Sequence, residues 1–166
     1  CLLLFAAHGC GGGSTDQSTD GSDDKQPSKP GSEATAPASN GPIEPLRFKT
    51  GQNNYTMTVD GRRRRFIVHV PSGYTPDTPA PLVLVFHMTA HNGGYAYETT
   101  KWREQCDKES CIAVFPTAMS YFVIQKNTEQ TKWNDVSLSQ LVPPDTPLAD
   151  DVKFVREMVE TLKATF

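Results

Sequence analysis

The sequence predicts an α/β domain containing a parallel βαβ unit, and three observations predict it. Leu82 to Phe86 is an unbroken apolar run, bounded by Pro81 before it and, past His87, by Gly93-Gly94. A run of that length suits a strand buried on both faces. Ile112 to Phe115 repeats the pattern and is ended by Pro116, with a segment of helical spacing between the two runs. Ahead of both lies an alternating stretch, Tyr55 to Val59, then Asp60-Gly61, then a second alternating stretch, Arg64 to Val70. That order signals an antiparallel hairpin with a two-residue turn. Ligands in open α/β sheets sit beyond the carboxyl ends of the strands, so the turn starting at His87 is the first place to look for chemistry.

Only part of the 166 residues can belong to that domain. Residues 1–10 are expected to be a partial signal peptide, 11–45 a linker and 46–166 the domain. Leu2 to Ala7 resemble the end of a signal-peptide core, too short to span a bilayer. Cys10, followed by three glycines and an acidic linker, resembles the lipidation site of a bacterial lipoprotein. An ordinary secretory signal cut nearby is the alternative reading. Both place the mature protein outside the cytoplasm, in the cell envelope or the extracellular space, with a lipid on Cys10 as the expected membrane contact. The linker is Ser, Thr, Asp, Pro and Gly without an aromatic residue, and too poor in apolar surface to offset its ordering entropy, so disorder is expected. Residues 14–42 carry five acids and two lysines, which is the whole net charge of −3. The sequence that follows is therefore neutral, which argues against a nucleic-acid partner.

With Cys1 in the signal and Cys10 a lipidation candidate, Cys106 and Cys111 remain. Two cysteines five apart in an oxidising compartment suit a disulfide; two buried free thiols are the alternative. The spacing is no zinc signature, and no metal or cofactor is expected.

In the hairpin, Phe66, Val68 and Val70 share one face, with Ile67 and His69 on the other; His69 is expected to face the core or its rim. Arg62 to Arg65 point in alternating directions on what reads as an edge strand, so solvated charge that discourages edge pairing is expected. After the Leu82–His87 strand, Tyr95 to Lys108 reads as one helix with Tyr95, Thr99, Trp102 and Cys106 on a shared face. Residues 117–146 read as a long polar loop holding Trp133-Asn134-Asp135, and loops of that length are usually functional. Pro147 to Lys163 reads as a last helix, its apolar face built from Leu148, Val152, Val155, Val159 and Leu162. Pro147 suits its first turn, and Asp150 and Asp151 suit its positive end as capping residues.

Hairpin, buried strand ending in His, helix, strand, helix is an order that resembles the first half of the α/β-hydrolase fold. Five motifs carry the resemblance further: Val68 to Tyr74, Pro81 to His87, Ile112 to Pro116, Trp133 to Asp135, and Asp150 to Val155. Together they resemble the secreted polyhydroxybutyrate depolymerase and feruloyl esterase-like family over about residues 55–165. The resemblance implies a serine carboxylesterase acting on an ester-bearing polymer or polysaccharide. The nucleophile in that family sits in a G-x-S-x-G turn after the next strand, followed by an acid and a histidine. No G-x-S-x-G occurs here, so the chain is expected to be an N-terminal fragment, inactive alone, with none of the triad. It also implies that Leu82–His87 neighbours the absent strand and leaves an apolar edge exposed.

What the resemblance assigns to this chain is half of an oxyanion hole, with Met88 or Thr89 supplying a backbone N–H. Met88 stands where the family usually has glycine. His87 is expected to support the loop through hydrogen bonds. His91 is a candidate for substrate contact, and Trp133 either walls the pocket or buries its ring over the sheet. The alternative to an esterase is a non-catalytic, surface-tethered module that binds carbohydrate or polymer and keeps the hydrolase topology.

Overall fold

The computed structural model describes residues 45–76 and 78–166, with the backbone of two short strands, β1 (Leu3–Ala6) and β2 (Ala34–Thr35). The lipidation candidate Cys10 lies outside the described residues, as does the linker apart from β2.

Strands β3 (Gly51–Val59) and β4 (Arg62–Val70) form the expected hairpin, paired from Gly51↔Val70 to Val59↔Arg62. Asp60 and Gly61 both take left-handed backbone angles, φ 50° and 72°, which matches the turn to the strands' twist. Strand β5 (Leu82–Phe86) lies parallel to β6 (Ile112–Pro116), with helices α1 (Gly93–Thr99) and α2 (Trp102–Glu109) between them in the chain. The sheet order is β1-β5-β6-β4-β3-β2, and β4 runs antiparallel to both β3 and β6. The fold class is therefore mixed α/β. The outer edge of β5 is covered rather than open. The run expected to close a signal peptide places Leu3–Ala6 beside it in parallel, from Leu3↔Val83 to Ala6↔Phe86.

Helices lie on both faces of the sheet. One face buries Tyr55, Met57, Phe66, Val68, Leu84, Ile112 and Val114 against Phe154, Met158 and Leu162 of α4 (Asp151–Thr165). The other buries Val83, Val85, Ala113 and Phe115 against Ala96, Tyr97 and Cys106 of α1 and α2. Strand β5 thus contributes to both cores, the reason its apolar run does not alternate. The Cys106–Cys111 disulfide is formed and closes the corner between α2 and β6.

Four expectations are corrected. Tyr95–Lys108 is two helices, because Lys101 turns left-handed at φ 62°. The Thr99 and Thr100 hydroxyls donate back to the carbonyls of Tyr95 and Ala96, an arrangement that weakens helix continuation. The buried face of α1 is then Gly93, Ala96 and Tyr97, while Tyr95 is exposed. Residues 117–146 are largely structured: β7 (Met119–Val123) pairs antiparallel with β8 (Thr128–Lys132), and α3 (Leu138–Leu141) follows. The last helix begins at Asp151 behind an Asp150 cap, so Pro147 and Leu148 precede it. Its buried face is Phe154, Met158, Thr161 and Leu162, with Val155 and Val159 at the margin and Val152 at 69% exposure. Phe and Met bury more area than valine and decide the rotation. Finally, β4 is an interior strand, and Arg64 shares the face of Phe66 and Val68, only 2% exposed.

Candidate functional site

The turn from His87 to Asn92 leaves the carboxyl end of β5. His87 is 5% exposed and both its ring nitrogens are engaged. Nε2 lies 2.9 Å from the Ala118 backbone N–H, which can only donate, so Nε2 accepts and the proton sits on Nδ1. Nδ1 donates in turn to the Met88 carbonyl at 2.7 Å. Burial holds the His87 pKa below its ordinary 6.5; the Met88 carbonyl opposes this, His91 adds to it, and the Asp151 carboxylate opposes it. A neutral imidazole with both nitrogens occupied anchors the turn and has no lone pair free for use as a base.

Beyond His87 the turn carries Met88, 40% exposed, and an exposed Thr89. Among the described residues no acceptor takes either of their backbone N–H groups. The left-handed residue of the turn is Ala90, φ 65°, and Met88 is not in that region. A side chain at position 88 therefore meets no backbone penalty.

The β7–β8 hairpin straps this turn. The Ala90 N–H donates to the Thr131 carbonyl at 2.9 Å, and the Thr131 hydroxyl donates to the His91 carbonyl. Lys132 Nζ reaches Thr89 Oγ1 at 3.5 Å. The His91 ring stacks on Tyr95, centroids 3.8 Å apart and 16° between planes. Trp133 packs edge-on to Phe86 at 5.1 Å and over His87 at 5.0 Å. Its indole N–H donates to the His87 carbonyl at 3.0 Å. Trp133 thus covers the start of the turn, and its polar atom is spent on the backbone.

Asn92 caps α1 through its side chain, which accepts from the Tyr95 N–H at 2.9 Å. Gly93 follows because α1 starts against β6: a Cβ there would stand 2.3 Å from the Phe115 carbonyl oxygen. Its N–H donates to Thr117 Oγ1 at 3.0 Å, next to the Ala118 that holds His87.

Sequence reasoning missed a second group of residues. Arg64 Nη2 donates to Asp151 Oδ1 at 2.5 Å, and its guanidinium lies 4.0 Å over the Phe154 ring. Asp151 Oδ2 accepts the Asn134 backbone N–H at 2.6 Å, and the Asn134 side chain donates to the Ala149 carbonyl at 2.8 Å. Asp135 accepts from the Ser137 hydroxyl and N–H, which hold its carboxyl below the usual range. Asp150 caps α4 as expected, accepting from the Lys153 N–H at 2.8 Å; Asp151 instead bridges Arg64 and Asn134. The one signal for this was parity, since Arg64 falls in step with Phe66, Val68 and Val70.

On the opposite face, buried His69 has Nε2 3.0 Å from Oδ1 of the exposed Asp107 and Nδ1 3.2 Å from the Tyr97 hydroxyl, at the rim of the second core. Among the described residues no three metal-binding side chains converge, and no helix is long and apolar enough to cross a membrane. Compared with protein-family models, with curated proteins and with solved structures, the chain has no match.

Proposed function

We propose that these residues are the oxyanion-hole half of a serine carboxylester hydrolase built on the α/β-hydrolase plan. The observation that carries the reading is the Met88–Thr89 segment. Two adjacent backbone N–H groups without acceptors among the described residues stand at the carboxyl end of the central strand, on a turn anchored by a neutral, doubly bonded His87. Preorganised donors of this kind stabilise the negative charge that develops when an ester carbonyl is attacked. The sheet supports the plan: β4 is antiparallel to its neighbours, and β5 is parallel to β6. On this reading the strand that bears the nucleophile belongs on the β5 edge where Leu3–Ala6 now pairs. The serine, acid and histidine come from sequence outside these 166 residues. Exposed Met88 and the His91–Tyr95 stack give the turn an apolar, aromatic surface, which suits polyester or hydroxycinnamoyl esters on polysaccharide. The site requires no cofactor for this chemistry. Lipid attachment at Cys10 would hold the enzyme on the bacterial surface or envelope.

The test has two stages. The gene sequence following the Phe166 codon is expected to encode a strand and then a G-x-S-x-G turn. A protein including that region is expected to hydrolyse p-nitrophenyl acetate and methyl ferulate. Replacing Thr89 by Pro removes one N–H and is expected to lower kcat about 10²-fold. A folded protein silent on both esters would overturn the esterase in favour of a polymer-binding module.

A further inference from the structure

We propose that the buried Arg64–Asp151 ion pair is a positioning element: it sets Trp133 against His87 and thereby fixes the turn that carries Met88 and Thr89. The inference deepens the reading of that turn as the functional site, but it stands on geometry that can be measured without any hydrolysis.

A buried arginine near the start of an interior strand is a poor choice for stability alone. Desolvating two charges cancels much of their attraction, and an apolar side chain of similar volume usually serves as well. What an apolar residue cannot do is orient a carboxylate, and Asp151 uses its two oxygens in two directions. Oδ1 takes Arg64, and Oδ2 takes the backbone N–H of Asn134. The position of that amide is thus tied to a rigid strand on one side and to the first turn of α4 on the other. Asn134 is clamped a second time, its side chain bonded to the Ala149 carbonyl just ahead of the helix.

Trp133 is the residue immediately before this double clamp, and it directly follows β8. Its ring lies over His87 and against Phe86, and its indole N–H holds the His87 carbonyl. One residue earlier, Lys132 reaches Thr89; two earlier, Thr131 bonds Ala90 and His91. Apart from the Ala118 bond to His87, the straps on the turn therefore come from the three residues before the Asn134 contact with Asp151. Arg64 and Asp151 touch neither Met88 nor Thr89 among these bonds, so they act through Trp133.

The experiment uses the two tryptophans, Trp133 at the turn and Trp102 at the other core as an internal reference. Indole N–H signals are recorded by ¹H–¹⁵N NMR in the full chain carrying Arg64→Met, Asp151→Asn, Arg64→Lys or Arg65→Met. In Arg64→Met and Asp151→Asn the Trp133 indole signal should move toward that of a free indole and exchange its hydrogen at least about tenfold faster. Trp102 should stay in place. Arg64→Lys, which keeps a charge but not the guanidinium, should fall between these and the native protein. Arg65→Met, at an exposed position, should change neither signal. A folded Arg64→Met or Asp151→Asn whose Trp133 signal is unmoved would overturn the proposal, as would equal movement of both tryptophans, which reports general loosening. Should Arg64→Met not fold, the nearly isosteric Asp151→Asn decides by the same criterion. Loss of the esterase reading would leave these outcomes unchanged.

Discussion

Replacing Gly93 by alanine sets two sides of the same side chain against each other. Alanine is the better helix former, by about 1 kcal/mol in a helix interior and less at a helix start. The Cβ, however, would lie 2.3 Å from the Phe115 carbonyl oxygen and 2.9 Å from Thr117 Oγ1. Carbon and oxygen approach no closer than about 3.3 Å even in favourable contacts, so α1 and β6 must separate by about 1 Å. The obstacle is backbone, and β6 cannot yield freely because it is paired with β4 and β5. Overpacking of this sort costs about 1–3 kcal/mol, and an immovable neighbour puts the cost near the upper end. A net loss of about 2 kcal/mol is expected, or about 8 °C in Tm for a domain of this size. Gly94→Ala is the internal control. Its Cβ would meet only the Asn92 side-chain oxygen, at 3.1 Å, and a few tenths of an ångström of movement within that cap relieves the approach. Gain and cost should then cancel to within about 1 kcal/mol. Thermal unfolding followed by circular dichroism on the two variants checks this. Equal stability of Gly93→Ala and Gly94→Ala would refute the close approach of α1 to β6, and with it the account of how the turn is seated.

Two further outcomes follow from the same geometry. Burial keeps the His87 pKa below 6.5 in the folded protein, so the unfolded chain binds that proton more readily. Its contribution is complete above about pH 6.5 and is lost as pH falls toward the folded pKa, by at most about 1.4 kcal/mol per pH unit. His87→Gln should flatten this part of the acid dependence, and urea midpoints of both proteins between about pH 5 and 8 measure it; parallel curves would remove His87 from the account. The Cys106–Cys111 bond closes a loop of sequence separation 5, for which chain entropy gives a stabilisation of about 2 kcal/mol. Denaturation with and without reductant should show that difference in the native protein and none in a Cys106→Ser/Cys111→Ser double variant; a native protein indifferent to reductant would contradict it.

Wherever local pattern and burial agree, the chain was legible before folding. Asp60-Gly61 fixes its hairpin because the turn needs two left-handed residues, and Asp and Gly supply them. The apolar runs at 82–86 and 112–115 are buried strands because nothing else accommodates them at that length. Legibility failed where a local signal was weak. No glycine or proline marks the break at Lys101, which depends on two threonine hydroxyls turning back on the helix. The β7–β8 hairpin hid in a polar stretch, although Asn127, left-handed at φ 50°, sits at its bend. The valines of the last helix made a convincing stripe, yet Phe154 and Met158 take the core.

The site divides along the same line. Sequence alone determined that a turn beginning at His87 stands at the carboxyl end of a doubly buried strand, since strand, turn and helix are local outcomes of side-chain pattern. Only the tertiary structure decided what holds that turn. Ala118, Thr131, Trp133 and, through Asn134, Asp151 and Arg64 converge on it from sequence distances of 20 to 70 residues or so, and no local periodicity encodes such meetings. Arg64 shows why. Four arginines in a row look like solvated charge until packing assigns one of them to the interior, where it must find a carboxylate or be expelled.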